Sequence, residues 1–161
     1  DKYLLWEWHR ILKKGSVDDE IDNIGKWKKY SNRLSKTDLK LCEPHLVENN
    51  MFNLLEDWKE SKKDIYAIAD FHQKFEHIHP FQDGNGRIGR FIMLRQCLEN
   101  NVDLIAIDDE YNNEYRDALY KAQTTGDINL LVEVLQKCQK RLDEKLEEYM
   151  PIIEQVLQEV N

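Results

Sequence analysis

His79-Pro80-Phe81-Gln82-Asp83-Gly84-Asn85-Gly86-Arg87-Ile88-Gly89-Arg90 is the stretch on which the reading of this chain turns. Pro80 ends the helix before it, because the residue preceding a proline avoids the α region. Gly84-Asn85-Gly86 turns the backbone cheaply through positive φ. A new helix is expected from about Gly86, through Phe91, Ile92, Leu94, Arg95 and Leu98, closing at Asn100-Asn101. The helix leading in carries Ile65, Ile68, Ala69, Phe71, Phe75 and Ile78, with Asp64 as its cap. The segment is therefore a short loop held between two apolar-faced helices.

Outward from this pair, helical spacing continues. Leu4, Leu5, Trp8, Ile11 and Leu12 predict a helix over residues 2–14, ended by Gly15. Residues 15–25 read as an acidic loop. Residues 26–42 lack helical period and read as a short hairpin or flap. Pro44 suits the first turn of a helix running to about Ser61. After a short extended link with Leu104, Ile105 and Ile107, a helix is expected from about Asp109 to Thr124. A turn at Thr125-Gly126-Asp127 separates it from a long final helix, which Pro151 should kink or break. The final helix has a narrow stripe of Leu131, Val134, Leu135, Cys138, Leu142, Leu146 and Tyr149. Core packing is preferred for it over a partner helix, and a homo-oligomer is compatible with it. The fold class is all-α, a helical bundle with a short β-hairpin flap. Residues 1–161 form a single domain, with a core over about 3–140 and a helical extension over 141–161.

The chain has 161 residues, 34% of them charged, and a formal net charge of −8. That length can bury a sizeable core. The acidic balance argues against general nucleic-acid binding, which needs a basic footprint. Cys42, Cys97 and Cys138 are odd in number and far apart, as expected of free thiols in a reducing compartment. No apolar run approaches a membrane span, and no signal peptide is visible, so a cytoplasmic location is expected.

The loop itself carries chemistry suited to a phosphate ester. Successive N–H groups of Gly84-Asn85-Gly86 can form a nest for an anion. The positive end of the following helix faces the same spot. Arg87 and Arg90, three apart, share a helical face and can fork onto phosphate oxygens. Asp83 adjoins the nest, where one carboxylate beside phosphates suits Mg²⁺. His79 stands at the other lip and titrates near neutrality, as a general base for a hydroxyl must. Phe81 anchors the loop in the core. The blander alternatives are a helix cap with surface arginines, or structural zinc at His72, His77 and His79. Recognised zinc spacing is missing, and that reading ranks low.

These residues resemble the signature of the Fic domain family, His-x-Phe-x-(Asp/Glu)-Gly-Asn-Gly-Arg-x-x-Arg. His79, Phe81, Asp83, Gly84, Asn85, Gly86, Arg87 and Arg90 match every specified position. Trp8-His9-Arg10-Ile11-Leu12, Gly25-Lys26-Trp27 and the stretch from Tyr115 to Asp127 look similar to the same family.

The resemblance implies a helical fold and protein adenylyltransferase activity: Mg²⁺-dependent transfer of AMP from ATP to a Ser, Thr or Tyr hydroxyl of a target protein. It implies His79 as base, Asp83 as Mg²⁺ ligand and Asn85 at the α-phosphate. Gly84 and Gly86 then cradle the phosphates, Arg87 meets the outer phosphates and Arg90 the γ-phosphate. Residues 26–42 would be the flap that pairs with the target, with Ser31 and Asn32 near the nucleotide. Arg116 and Gln123 are candidates for the adenine pocket. Lys28 stands where the family often has arginine. The family's inhibitory pattern, (Ser/Thr)-x-x-x-Glu-(Gly/Asn), has its nearest match at Ser16 and Glu20, followed by Ile21, and is read as chance. An inhibitor is then expected as a separate antitoxin-like protein or on chain outside this sequence. Alternatives within the fold are transfer of UMP or phosphocholine. The intact Gly86-Arg87 pair disfavours phosphorylation. From a different class comes a catalytically silent interaction module, which would not need both His79 and Asp83.

Overall fold

The computed structural model describes residues 1–15, 23–34 and 37–160. The nearest match to the inhibitory pattern, at Ser16 and Glu20, lies outside them. Among the described residues the chain is helical, with no strand. The order is α1 (Lys2–Lys13), a 3₁₀ turn (Pro44–Leu46), α2 (Val47–Glu60), α3 (Ile65–Ile78), α4 (Asn85–Asn100), α5 (Asn112–Thr125) and α6 (Asn129–Val160).

Local chemistry sets most of these limits. Asp1 Oδ1 accepts from the Leu4 N–H at 3.0 Å, and Asp64 Oδ1 accepts from the Ala67 N–H at 2.9 Å, each satisfying an orphan donor of a first helical turn. α4 ends at Asn101 and α5 at Gly126, both in the left-handed region. α5 begins three residues later than its pattern predicts. The Asp108 side chain accepts from the Tyr111 N–H at 3.3 Å and binds Lys145 at 2.6 Å, holding residues 109–111 in a turn.

α3 is the central element and is buried on opposite sides. Ile68 and Ala69 join Met93, Cys97, Tyr115, Ala118, Leu131 and Leu135 in a cluster with α4, α5 and α6. Phe71, Phe75 and Ile78 join Leu5, Met51, Leu54, Phe81, Ile88 and Ile92 in a second cluster with α1 and α2. Fully burying a Phe such as Phe81 contributes about 1.5–3 kcal/mol. That fixes the loop to the second cluster from its own middle.

Three expectations are corrected. Pro151 does not break the final helix, which α6 carries through it to Val160. Pro151 and Glu147 are both exposed, so water can serve the Glu147 carbonyl that loses its helical donor. The apolar stripe is buried only over Leu131, Val134, Leu135 and Cys138, whereas Leu146 and Tyr149 are exposed. The described part of residues 26–42 forms no hairpin, because backbone donors that a hairpin would pair within the segment are spent on the end of α3 and on the motif loop. The Lys28 N–H donates to the Pro80 carbonyl at 2.7 Å, and the Cys42 N–H donates to the His77 carbonyl at 3.3 Å. The described residues of this segment form a strap along the end of α3 and the motif loop. All three cysteines are free thiols. Among the described residues no helix is long and apolar enough to cross a membrane.

Candidate active site

The site is built from the end of α3, the loop over residues 79–84 and the first turn of α4. His79 follows the last residue of α3 in the left-handed conformation, φ 50° and ψ 59°, and its N–H donates to the Phe75 carbonyl at 2.9 Å. A non-glycine residue there is uncommon, and such backbone is held only when its surroundings over-determine it. Pro80 follows at once and Phe81 is fully buried, so the imidazole is fixed from both sides. His79 Nδ1 lies 3.3 Å from the Glu76 carbonyl oxygen, an acceptor, which favours the proton on Nδ1 and leaves the Nε2 lone pair free. Burial pushes the imidazole down to about 4, so it is neutral near pH 7.

Asn85 locks the loop. Its Oδ1 accepts from the Phe81 N–H and its Nδ2 donates to the Phe81 carbonyl, both at 2.8 Å. The side chain is buried and its amide bonds within the loop, at the residue for which the family resemblance implies a place at the α-phosphate. Gly84 has φ 84° and caps α4 without a side-chain hydrogen bond, so the first N–H groups of that helix keep no side-chain partner. These donors and the helix dipole form the anion-seeking end of the site.

The two arginines converge on this turn. A Cβ built at Gly84 would stand 3.8 Å from Arg87 Nη2, and one at Gly86 would stand 3.5 Å from Arg90 Nη1. Arg90 Nη1 thus lies beside the first turn, on an exposed residue. Asp83 Oδ2 binds Lys13 Nζ at 2.9 Å and Arg87 Nη2 at 3.2 Å. The Lys13 hydrogen bond is the main reason the Asp83 carboxyl lies below its ordinary range. Asp83 is exposed, so an ionised carboxylate faces solvent beside the nest. Among the described residues no three His, Cys, Asp or Glu side chains gather as a metal-binding group.

Three supporting residues escaped sequence reasoning. His9 stacks on Phe81, with ring centres 4.2 Å apart and planes 6° from parallel. Its Nδ1 accepts from the Gly25 N–H at 2.9 Å, so its Nε2 carries the proton and donates to the Asp83 carbonyl at 3.0 Å. Lys13 lies one turn further along α1 and is also buried. Leu5, His9 and Lys13 recur every four residues, and a His and a Lys on a core-facing stripe were the available signal. Lys28 is the third: its Nζ donates to the Ile78 carbonyl at 3.1 Å and to Asn32 Oδ1 at 2.9 Å, closing the end of α3. Asn32 Nδ2 in turn donates to the Phe81 carbonyl at 3.0 Å, whereas Ser31 Oγ donates to Glu43 at 2.6 Å. Asn32 is therefore joined to the loop, and Ser31 is tied to the strap. Gln123 donates to the Gln73 carbonyl at 3.3 Å and lines a cleft of about 320 Å³ with Asn53, Gln73 and His77. Arg116 is exposed on α5.

One loop and the first turn of α4 thus bring together a neutral imidazole, an exposed carboxylate, two guanidinium groups and an uncapped helix N-terminus in a helical protein. The sequence model of the Fic/DOC family matches residues 1–97, more than half of the sequence, and the chain belongs to that family. It is 32% identical over 96 residues to the protein adenylyltransferase Fic of Aedes aegypti, covering 56% of this chain and 19% of that protein. It is 34% identical over 83 residues to a probable protein adenylyltransferase of Aquifex aeolicus (strain VF5), covering 50% of this chain and 25% of the relative. The chain thus spans about a fifth to a quarter of the length of these curated relatives. The fold is shared with a Fic domain containing signaling protein of Bacteroides thetaiotaomicron, at a TM-score of 0.74 and 22% identity, over 88% of this chain and 60% of that one.

Proposed function

We propose that the chain is a protein adenylyltransferase that transfers AMP from ATP to a Ser, Thr or Tyr hydroxyl of a target protein. The observation that carries this reading is the neutral His79 imidazole beside the uncapped N-terminus of α4. The triphosphate would lie on the N–H groups of that turn, between Arg87 and Arg90. The target hydroxyl would give its proton to His79 Nε2 as its oxygen bonds to the α-phosphorus. The bond from that phosphorus to its bridging oxygen then breaks, and pyrophosphate leaves with the charge. Arg87 and the helix N-terminus stabilise that charge where it develops.

Asp83 fits a Mg²⁺ carried in with the nucleotide. It is a single exposed carboxylate, held ionised by Lys13 and Arg87, and Mg²⁺ bound with phosphates needs few protein ligands. When bound, the ion would neutralise phosphate charge. Asn85 serves by fixing the loop, so its part in phosphate binding falls to its backbone. The target would lie along the strap of residues 26–42 by main-chain hydrogen bonds, with Asn32 linking strap to loop. A cytoplasmic setting and a separate inhibitory protein complete the reading.

The test is incubation of the purified chain with Mg²⁺ and ATP labelled at the α- or the γ-phosphate, in lysate of the source cell. Protein labelling from α-label alone, lost in His79→Ala and Asp83→Ala, is expected. Labelling from γ-label would mean phosphorylation and would overturn the reading. Labelling from α-labelled UTP but not from ATP would redirect it to UMP transfer.

A further inference from the structure

His79 sits in a backbone conformation that its own chemistry disfavours. Its φ of 50° lies in the left-handed region, where a residue other than glycine stays only when its surroundings over-determine it. Pro80 and the buried Phe81 supply part of that hold from the core side. The rest comes from the strap, through Lys28 and Asn32.

One residue takes the carbonyls on both sides of His79. Lys28 Nζ donates to the Ile78 carbonyl at 3.1 Å, and the Lys28 N–H donates to the Pro80 carbonyl at 2.7 Å. Lys28 Nζ also donates to Asn32 Oδ1 at 2.9 Å. With its oxygen so engaged, the Asn32 amide presents Nδ2 to the Phe81 carbonyl at 3.0 Å. The carbonyls of residues 78, 80 and 81 are thus pinned to one bracket, and His79 is the residue that the bracket spans. The bracket leaves the ring itself alone. His79 Nδ1 lies 3.3 Å from the Glu76 carbonyl oxygen, on its own helix.

The bracket is made with a charge. Lys28 is 3% exposed, and its ammonium donates to two uncharged oxygens and to no carboxylate among the described residues. A buried ammonium is costly unless its hydrogen bonds are well made. The end of α3 offers it such bonds. The Ile78 carbonyl is among the last four of the helix, which have no partner within it, and the negative end of the helix dipole favours a cation there. Methionine would fill the same space without that cost, but it cannot donate to the Ile78 carbonyl.

We propose that Lys28, braced by Asn32, is a positioning residue for His79: it clamps the carbonyls on either side of the base and so holds Nε2 in line with the reacting hydroxyl. The proposal rests on the reading in which His79 is the base. It has a consequence that a packing role would not produce. The bonds of the clamp go to residues 78, 80 and 81, and none goes to Asp83, Arg87, Arg90 or the first turn of α4. Loss of the clamp should therefore slow the chemical step and leave the binding of nucleotide alone. The base is aimed only while the strap lies in place.

The test compares wild type, Lys28→Met, Lys28→Arg and Asn32→Ala, each shown to be folded by circular dichroism. Protein labelling from α-labelled ATP with Mg²⁺ is followed in lysate of the source cell across a range of ATP concentrations. Lys28→Met should lower the maximal rate by about 10–100-fold, since a misplaced base forfeits part of the 10²–10⁴-fold that a base contributes. The ATP concentration giving half that rate should move by less than about twofold, and Lys28→Arg should return the rate to within about threefold of wild type. A second readout needs no turnover. In ¹H–¹⁵N spectra of the His79 imidazole, wild type should show one tautomer with its proton on Nδ1, and Lys28→Met should show averaged nitrogen shifts from a released ring. Should Lys28→Met fail to fold, Asn32→Ala decides: it should lose about three- to tenfold in maximal rate at unchanged half-saturation, and a full rate overturns the proposal. Equal losses in Lys28→Met and Lys28→Arg, or a loss confined to ATP half-saturation, also overturn it. If wild type transfers label and Lys28→Met keeps its rate, the proposal fails and the reading of His79 as base stands. If wild type transfers no label, that reading fails and takes the proposal with it.

Discussion

Replacing His9 with Phe separates the two ways in which this histidine holds the loop. Phenylalanine keeps a flat ring against Phe81, where the stacked pair has centres 4.2 Å apart. It removes the acceptor of the buried Gly25 N–H and the donor to the Asp83 carbonyl. An unsatisfied buried N–H costs about 1–3 kcal/mol, and the part-buried Asp83 carbonyl, which water can reach, costs about 1 kcal/mol. Phenylalanine sits more favourably in an apolar site than a desolvated imidazole, which returns about 1 kcal/mol. The net loss is about 1–3 kcal/mol, and a chain of this length loses about 2–4 °C of Tm for each kcal/mol. His9→Ala also loses the ring and should cost about 2–3 kcal/mol more.

The assay is urea denaturation followed by circular dichroism, with the slope against urea unchanged. Nucleotide affinity is measured on the same samples. Because His9 binds the backbone of Asp83, His9→Phe should also weaken binding of Mg²⁺ with ATP. Stability within about 0.5 kcal/mol of wild type would refute the argument that these two hydrogen bonds hold the loop. Equal losses in His9→Phe and His9→Ala would refute the part assigned to stacking.

Other outcomes follow from the same geometry. His79→Ala should lower transfer by about 10²–10⁴-fold while ATP still binds, measured by single-turnover labelling and calorimetry. The His79 imidazole is held down to about 4, so the acid limb of kcat/KM should fall near that value instead of near 6.5. Stability should depend on pH through opposed groups. His72 and His79 bind protons in the unfolded chain first, so between about pH 4 and 6.5 they make stability rise with pH and supply it in full above 6.5. Glu76, raised to about 7, acts oppositely between 4.5 and 7, so Glu76→Gln should steepen the rise in a urea series across that range. Gly84→Val should weaken nucleotide binding, because a Cβ there meets Leu12 Cδ2 at 3.2 Å and the residue has φ +84°. Gly126→Ala is the control: it has φ +76° with nothing within 4 Å, so calorimetry should show unchanged binding.

Much of the fold was legible because its helices announce their limits. Asp64 capped α3 as its position suggested, and Pro80 marked the helix end. Period 3.6 cannot report what a polar side chain does once buried. His9 and Lys13 lie in an ordinary amphipathic pattern, and only the closure of α1 onto the loop, 70 and 74 residues away, turns them into supports for Asp83. The strap was misread for a related reason. A segment without helical period looks like a hairpin, yet its hydrogen bonds go to carbonyls of the motif loop about 50 residues further on. Pro151 was over-read, because a proline costs a helix less where water can serve the freed carbonyl.

The motif hides a division of labour that only coordinates separate. Eight matching residues look equivalent in sequence, but Phe81, Asn85 and the αL glycine at position 84 are used in making the loop itself. What remains available to a ligand is His79 Nε2, the Arg87 and Arg90 guanidinium groups, the Asp83 carboxylate and the uncapped N–H groups of α4. The first set should then show itself in stability and the second in chemistry. Asn85→Ala would leave the buried Phe81 N–H and carbonyl without partners, so its loss of activity would be inseparable from loosening of the loop. His79→Ala removes only a partly exposed ring whose backbone hydrogen bond stays in place. Similar losses of activity in the two variants would therefore report different physics, and a denaturation curve beside each rate tells them apart.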